Sequence, residues 1–158
     1  MKHIGFVGAS GLMGHGMAKN IRAKGFELSI TVHQRSEPVQ DLLAAGARRV
    51  AGYADLAACD AVVICVTGSP QVEAVVAGPS GLLSQARPGL IVIDTSTSEP
   101  DSTRRLTALC RDKGVVFVDA PLTRTPVEAE AGKLNTMVGA SQAVFEQISP
   151  LLQAYCEN

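Results

Sequence analysis

The sequence predicts an α/β domain with a doubly wound, mostly parallel sheet, and three observations carry that prediction. Short apolar runs alternate with segments whose apolar residues recur at helical spacing. The run Ala61-Val62-Val63-Ile64-Cys65-Val66 is apolar throughout, as a central strand covered on both faces must be. A glycine-rich turn, Gly8-Ala9-Ser10-Gly11-Leu12-Met13-Gly14, stands between the first apolar run and the first helical segment.

Taken in order, residues 3–7 read as a buried strand and residues 11–24 as a helix ended near Gly25. A second strand covers 28–32. Pro38 opens a helix carrying Val39, Leu42 and Leu43, which Gly46 stops. After the strand at 61–66, Val72, Val75 and Val76 give the next helix its buried stripe. Residues 90–93 form another strand, with Asp94-Thr95-Ser96-Thr97 at its carboxyl end. Ser98 and Asp101 predict a capping box around Pro100, starting a helix through Leu106, Leu109 and Cys110 that ends at Gly114. Residues 115–118 form a strand, a polar loop follows, and residues 134–138 are expected at the sheet edge. Val144, Ile148, Leu151, Leu152 and Tyr155 mark a final helical face, with Ser149-Pro150 restarting the helix.

The length of 158 residues fits one domain, and 46% hydrophobic residues with a net charge of −1 exclude a disordered chain. The same balance gives no basic stripe for nucleic acid. No apolar stretch is long enough for a membrane span. Cys59, Cys65, Cys110 and Cys156 form no CxxC pair and no metal-like spacing with His3, His15 or His33, so they read as reduced packing residues and no metal site is expected. The expected location is cytoplasmic.

The glycine turn carries the chemistry. A pyrophosphate needs close approach to bare backbone, which Gly8, Gly11 and Gly14 permit around Ser10, and a helix N-terminus supplies N–H donors. The spacing is GxxGxxG, one residue longer than the GxGxxG fingerprint; its place after an N-terminal buried strand makes it a dinucleotide-binding turn of Rossmann type. After the second strand the sequence reads Val32-His33-Gln34-Arg35-Ser36, with no acid to hold a ribose 2′-hydroxyl. Arg35 and Ser36 suit a 2′-phosphate, so the expected cofactor is NADP, with NAD as the alternative.

The glycine turn, Asp94-Thr95-Ser96-Thr97-Ser98-Glu99-Pro100, Phe117-Val118-Asp119-Ala120-Pro121, Gly132-Lys133-Leu134 and Met137-Val138-Gly139 occur in that order. Together they resemble the β-hydroxyacid dehydrogenases, a family that includes 3-hydroxyisobutyrate dehydrogenase, tartronate semialdehyde reductase and the nucleotide domain of 6-phosphogluconate dehydrogenase. The resemblance covers essentially all of residues 1–158 and implies hydride transfer between NAD(P) and a small 3-hydroxy acid or its aldehyde or keto form. It implies that Leu12 and Met13 touch the pyrophosphate, and that Gln34, Arg35 and Ser36 match the family's Asn-Arg-Thr/Ser turn. Val66 and Thr67 fall beside the cofactor, where the family usually has Leu-Pro. Thr97 matches the threonine of Asp-x-Ser-Thr near the nicotinamide.

The main departure follows Pro121, where the family generally reads Ser-Gly-Gly and this chain reads Leu122-Thr123-Arg124-Thr125-Pro126. Thr123 keeps the hydroxyl that positions substrate. Arg124-Thr125 is similar to a subset resembling sulfolactaldehyde reductase, in which the arginine is associated with an anionic substrate group, so Thr123, Arg124 and Thr125 are the expected substrate-binding residues. A guanidinium can make paired bonds to such a group, whereas Glu128 and Glu130 read as solvated loop acids. The family's proton donor is a lysine in Gly-x-Gly-x-x-x-Lys, and none of Lys2, Lys19, Lys24, Lys113 and Lys133 has that context. The expectation is therefore a nucleotide-binding piece of a longer, homo-oligomeric dehydrogenase, lacking the family's C-terminal all-helical domain and inactive alone. A short-chain dehydrogenase is disfavoured because Tyr53 has Ala57 four places on, not lysine. A nucleotide-sensing module or a relative acting on imines remains as an alternative.

Overall fold

The computed structural model describes residues 1–32 and 37–158. Its elements in chain order are β1 (His3–Val7), α1 (Gly14–Ala23), β2 (Glu27–Thr31), α2 (Gln40–Ala44), β3 (Arg48–Val50), β4 (Ala61–Ile64), α3 (Ser69–Ala77), β5 (Ile91–Asp94), α4 (Pro100–Asp112), β6 (Val116–Asp119), β7 (Leu122–Thr123), α5 (Pro126–Ala131), β8 (Asn135–Thr136) and α6 (Gln142–Leu152). Six strands form one sheet in the order β3-β2-β1-β4-β5-β6, every pairing parallel. The chain runs outward from β1 through β2 to β3 and then returns to β4 on the other side of β1. That reversal is the topological switch point, the place at which open α/β sheets bind their ligands, here the carboxyl ends of β1 and β4.

The two-residue side-chain period divides each central strand between two cores. Ile4, Phe6, Ala61, Val63, Ile91 and Ile93 pack with α1, α2 and α6 on one face. Val7, Val62, Ile64 and Val92 pack with α3 and α4 on the other. Both faces are therefore covered, and Ala61 to Ile64 are completely buried, as the uninterrupted apolar run requires.

The structure also corrects several expected elements. α1 begins at Gly14 rather than residue 11, because the preceding backbone is used in a turn closed by Gly11 N–H donating to Gly8 O at 3.0 Å. β3 was not apparent in the hydropathy pattern: it has three residues, two of them exposed arginines, as suits a charged edge strand. The expected Ser98–Asp101 capping box does not form. Glu99 is the N-cap, and Ser98 Oγ donates instead to Asp94 Oδ2 at 2.7 Å.

The stretch expected to be a polar loop contains α5. Thr125 and Glu128 form its capping box, Pro126 occupies its first turn, and Gly132 closes it with φ 69°. The expected edge strand at 134–138 shortens to β8, which pairs antiparallel with β7 outside the main sheet. α6 continues through Pro150 instead of restarting there, with Ser149 Oγ donating to Phe145 O at 2.7 Å.

Candidate functional site

At the end of β1, the backbone turns through space that excludes side chains. Gly8 has φ +97°, and a Cβ there would lie 1.9 Å from the Cys65 carbonyl oxygen. A Cβ on Gly14 would lie 2.1 Å from the Gly8 oxygen. These two glycines are therefore steric necessities of the β1–turn–α1 and β4 junction. α1 then starts without a side-chain cap. A turn of bare backbone beside a helix N-terminus suits an anionic group such as a pyrophosphate. Ser10 and Gly11 are exposed, Met13 is half-buried, and Leu12 is 83% exposed, projecting from the turn with no share in the core.

The ends of β4 and β5 are joined by a hydrogen-bond web. Thr95 donates to Ile64 O from both its amide, at 2.8 Å, and its hydroxyl, at 2.7 Å. The Val66 amide donates to Ser96 Oγ at 3.0 Å, while the Ser96 amide donates to Asp94 Oδ1 at 2.9 Å. Further along, the Glu99 amide donates to Ser69 Oγ at 2.7 Å, joining the starts of α4 and α3. Thr67 and Thr97 are exposed on these two strand-end loops.

Asp94 is fully buried at the root of the web. Burial pushes its carboxyl above the ordinary range, while hydrogen bonds from Ser98 and Ser96 oppose that rise. Asp119 stands opposite it in the β5–β6 register and is also raised, by burial and then by the Asp94 charge. Asp94, Ser96 and Ser98 were identified only as part of a motif; their organising role depends on contacts between neighbouring strands.

After β6, the chain carries Thr123, Arg124 and Thr125 through β7 to the start of α5. Thr123 is exposed and pairs in register with Asn135. Arg124 has φ 85°, the only positive value at a non-glycine position among the described residues. Its Nη1 donates to Lys133 O and Glu157 Oε2, both at 2.6 Å. Thr125 is the N-cap of α5, its Oγ1 accepting from the Val127 amide at 3.3 Å. Glu128 and Glu130 sit on α5, which corrects their reading as loop acids. Lys133 is exposed just beyond that helix.

One cluster was missed in the sequence. On the first turn of α1, His15 Nδ1 lies 2.7 Å from Glu130 Oε1, and Nε2 lies 3.0 Å from both Asp41 oxygens. Two carboxylates on the two ring nitrogens call for two N–H donors, so this geometry suits the imidazolium. Burial opposes that charge, but the hydrogen bonds and charges of Asp41 and Glu130 outweigh it and raise His15. Lys19 Nζ also reaches Glu130, at 2.8 Å. Residues 115 and 26 positions away in sequence gave no local signal of this contact.

The glycine turn and the ends of β1, β4 and β5 thus converge at the switch point, while Gln34, Arg35 and Ser36 lie outside the described residues. Cavities of about 330 Å³ at the foot of the sheet, around Cys59 and Arg87, and beside α6, around Phe145 and Leu152, touch none of these strand ends. The four cysteines are free, no described helix is long and apolar enough to cross a membrane, and no metal-binding cluster occurs among the described residues. Strand order and a side-chain-free turn together define a dinucleotide-binding domain of Rossmann type.

The family follows from comparison. Residues 3–158 match the NAD binding domain of 6-phosphogluconate dehydrogenase, and the chain belongs to that family. It is 37% identical over 153 residues to 2-(hydroxymethyl)glutarate dehydrogenase from Eubacterium barkeri, covering 94% of this chain and 49% of that protein. It is 35% identical over 159 residues to NAD-dependent L-serine dehydrogenase from Pseudomonas aeruginosa, covering 100% and 53%. A crystal structure of 3-hydroxyisobutyrate dehydrogenase from Salmonella typhimurium superposes with TM-score 0.90 at 28% identity, covering all of this chain and 55% of that one. The chain spans about half the length of the curated relatives it matches.

Proposed function

We propose that this chain is the NADP(H)-binding part of an oxidoreductase acting on a small anionic 3-hydroxy acid or its aldehyde or keto form. The observation that carries this reading is the turn at Gly8 and Gly14, where a Cβ would meet backbone at 1.9 and 2.1 Å. Its side-chain-free geometry beside α1 fits a dinucleotide pyrophosphate, with Gly8, Ser10, Gly11, Leu12, Met13 and Gly14 holding that group. Val66, Thr67 and Thr97 border the nicotinamide half, on loops fixed by the Asp94 web. Bound there, the cofactor supplies or accepts a hydride.

The preference for NADP rests on the sequence after β2. No acid follows that strand before Glu37, while Arg35 offers a guanidinium and Ser36 a hydroxyl to a 2′-phosphate. NADH and NADPH titrations followed by nicotinamide fluorescence test it. NADPH should bind at least about tenfold tighter, and Arg35→Ala should erase most of that difference. Tighter NADH binding would overturn the assignment.

On the substrate side, Thr123 positions the carboxylate end of the hydroxy acid and Arg124 reads a second anionic group. Thr125 holds the start of α5 beneath them. None of the chain's lysines is assigned the proton-donor role, which is expected from the rest of the intact enzyme, a cytoplasmic homo-oligomer. A cytoplasmic setting agrees with four free thiols. Reductase turnover by residues 1–158 alone, at the rate of an intact dehydrogenase, would contradict this division of labour.

A further inference from the structure

We infer that Glu157 sets the substrate selectivity of Arg124, holding its guanidinium in the absence of substrate and yielding it to a second anionic group. The inference rests on the proposed reading of Arg124 as the residue that recognises that group. Arg124 occupies a left-handed backbone conformation, φ 85°, which is uncommon for an L residue. Its guanidinium is held by the Lys133 carbonyl and the Glu157 carboxylate, both meeting Nη1 at 2.6 Å, and by the Asn135 amide oxygen, which accepts from Nε at 3.2 Å.

The carboxylate is delivered by backbone. The Glu157 amide donates to Leu134 O at 2.7 Å, and the Thr136 amide donates to Asn158 O at 2.9 Å, so the chain around Glu157 is laced to β8. The ion pair itself stays wet, with the side chains of Arg124 and Glu157 33% and 50% exposed. An exposed pair is weak enough for another anion to replace. The Lys133 carbonyl can stay in place during that exchange because it is neutral. A substrate anion arriving at Arg124 therefore competes with Glu157, and the two negative groups repel while both remain near the guanidinium.

A matched pair of acids tests this. 3-Hydroxyisobutyrate and 2-(hydroxymethyl)glutarate share a hydroxymethyl group on a carbon bearing carboxylate; the second replaces a methyl with an arm ending in another carboxylate. Dissociation constants for both are measured calorimetrically on the NADP⁺-saturated protein, for wild type, Glu157→Gln, Arg124→Ala and the double variant. Glu157→Gln should shift the ratio toward the diacid by about two- to fivefold, the range expected when an exposed competing charge is removed. In the Arg124→Ala background the same change should have no effect on the ratio.

If Arg124→Ala weakens diacid preference but Glu157→Gln leaves it unchanged or reduces it, Glu157 is not the competitor and the Arg124 reading stands. If Arg124→Ala leaves the ratio unchanged, both ideas fall. Should Glu157→Gln fold poorly by thermal melting, Glu157→Ala takes its place, alone and with Arg124→Ala: the same shift toward the diacid is expected, and an unchanged or reduced ratio overturns the inference.

Discussion

The glycine turn and the Thr123-Arg124-Thr125 loop are both candidate ligand-binding segments, yet they are built by opposite means. The first works by removing side chains: Gly8 and Gly14 leave backbone where a methyl would collide with a carbonyl at 1.9 and 2.1 Å. The second presents side chains, and two of those already have structural tasks. Arg124 is paired with Glu157, and Thr125 caps α5. Bare backbone is demanded by the sterics of the turn itself and suits an anion as well, whereas a polar side chain can serve the fold, the ligand or both.

The largest effect expected from this contrast is at Gly8. Gly8→Ala should cost about 3 kcal/mol or more in denaturant unfolding, since it combines a positive φ of 97° with a backbone collision. A loss below about 1 kcal/mol would show that the turn tolerates a side chain and is less constrained than its geometry implies. Next comes Thr125→Ala, which should cost about 1 kcal/mol by removing the α5 cap, with Thr125→Ser restoring most of it. If the alanine variant keeps full stability but loses substrate affinity, Thr125 belongs with the ligand rather than the fold.

His15 offers a smaller, pH-dependent effect. Its folded-state protonation is raised, so the stability it contributes is complete below its ordinary unfolded titration near 6.5 and is lost as pH rises through the higher folded value. The contribution of this partly exposed cluster should be no more than about 1 kcal/mol. Thermal melts across that window should show a shallow decline in wild type and a flatter profile in His15→Ala. The smallest stability change is expected for Arg124→Gly, where relief of the left-handed conformation and loss of the Glu157 pair offset each other to within about 1 kcal/mol. Loss of diacid preference in that variant, with stability held, would separate recognition from folding.

The legibility of the chain follows the same division. Central strands β1, β4 and β5 could be read because burial on both faces demands apolar residues on both sides of the strand, with polar residues left to strand ends such as His3 and Asp94. The glycine turn could be read because steric exclusion demands glycine. β3 could not, since two exposed arginines at a sheet edge carry no hydrophobic pattern. α5 had a local signal, Thr125-Pro126-Val127-Glu128 followed by Gly132, but six residues are too few to show a helical period between that cap and stop. The organising role of Asp94 and the placement of His15 depended on partners brought close only by the completed fold.

Gly16 has a consequence that extends across both loops. A Cβ there would lie 2.5 Å from the Ala129 carbonyl carbon and the Glu130 amide nitrogen, because α1 rests directly against α5. Asn20 fastens the same contact, its Nδ2 donating to Ala129 O at 3.0 Å and Glu130 O at 3.1 Å. The absence of one methyl therefore acts as a spacer gauge between the helix that leaves the glycine turn and the helix that follows Arg124. A larger residue at position 16 would collide with the α5 backbone, so the spacing of the two loops depends on a position lying in neither.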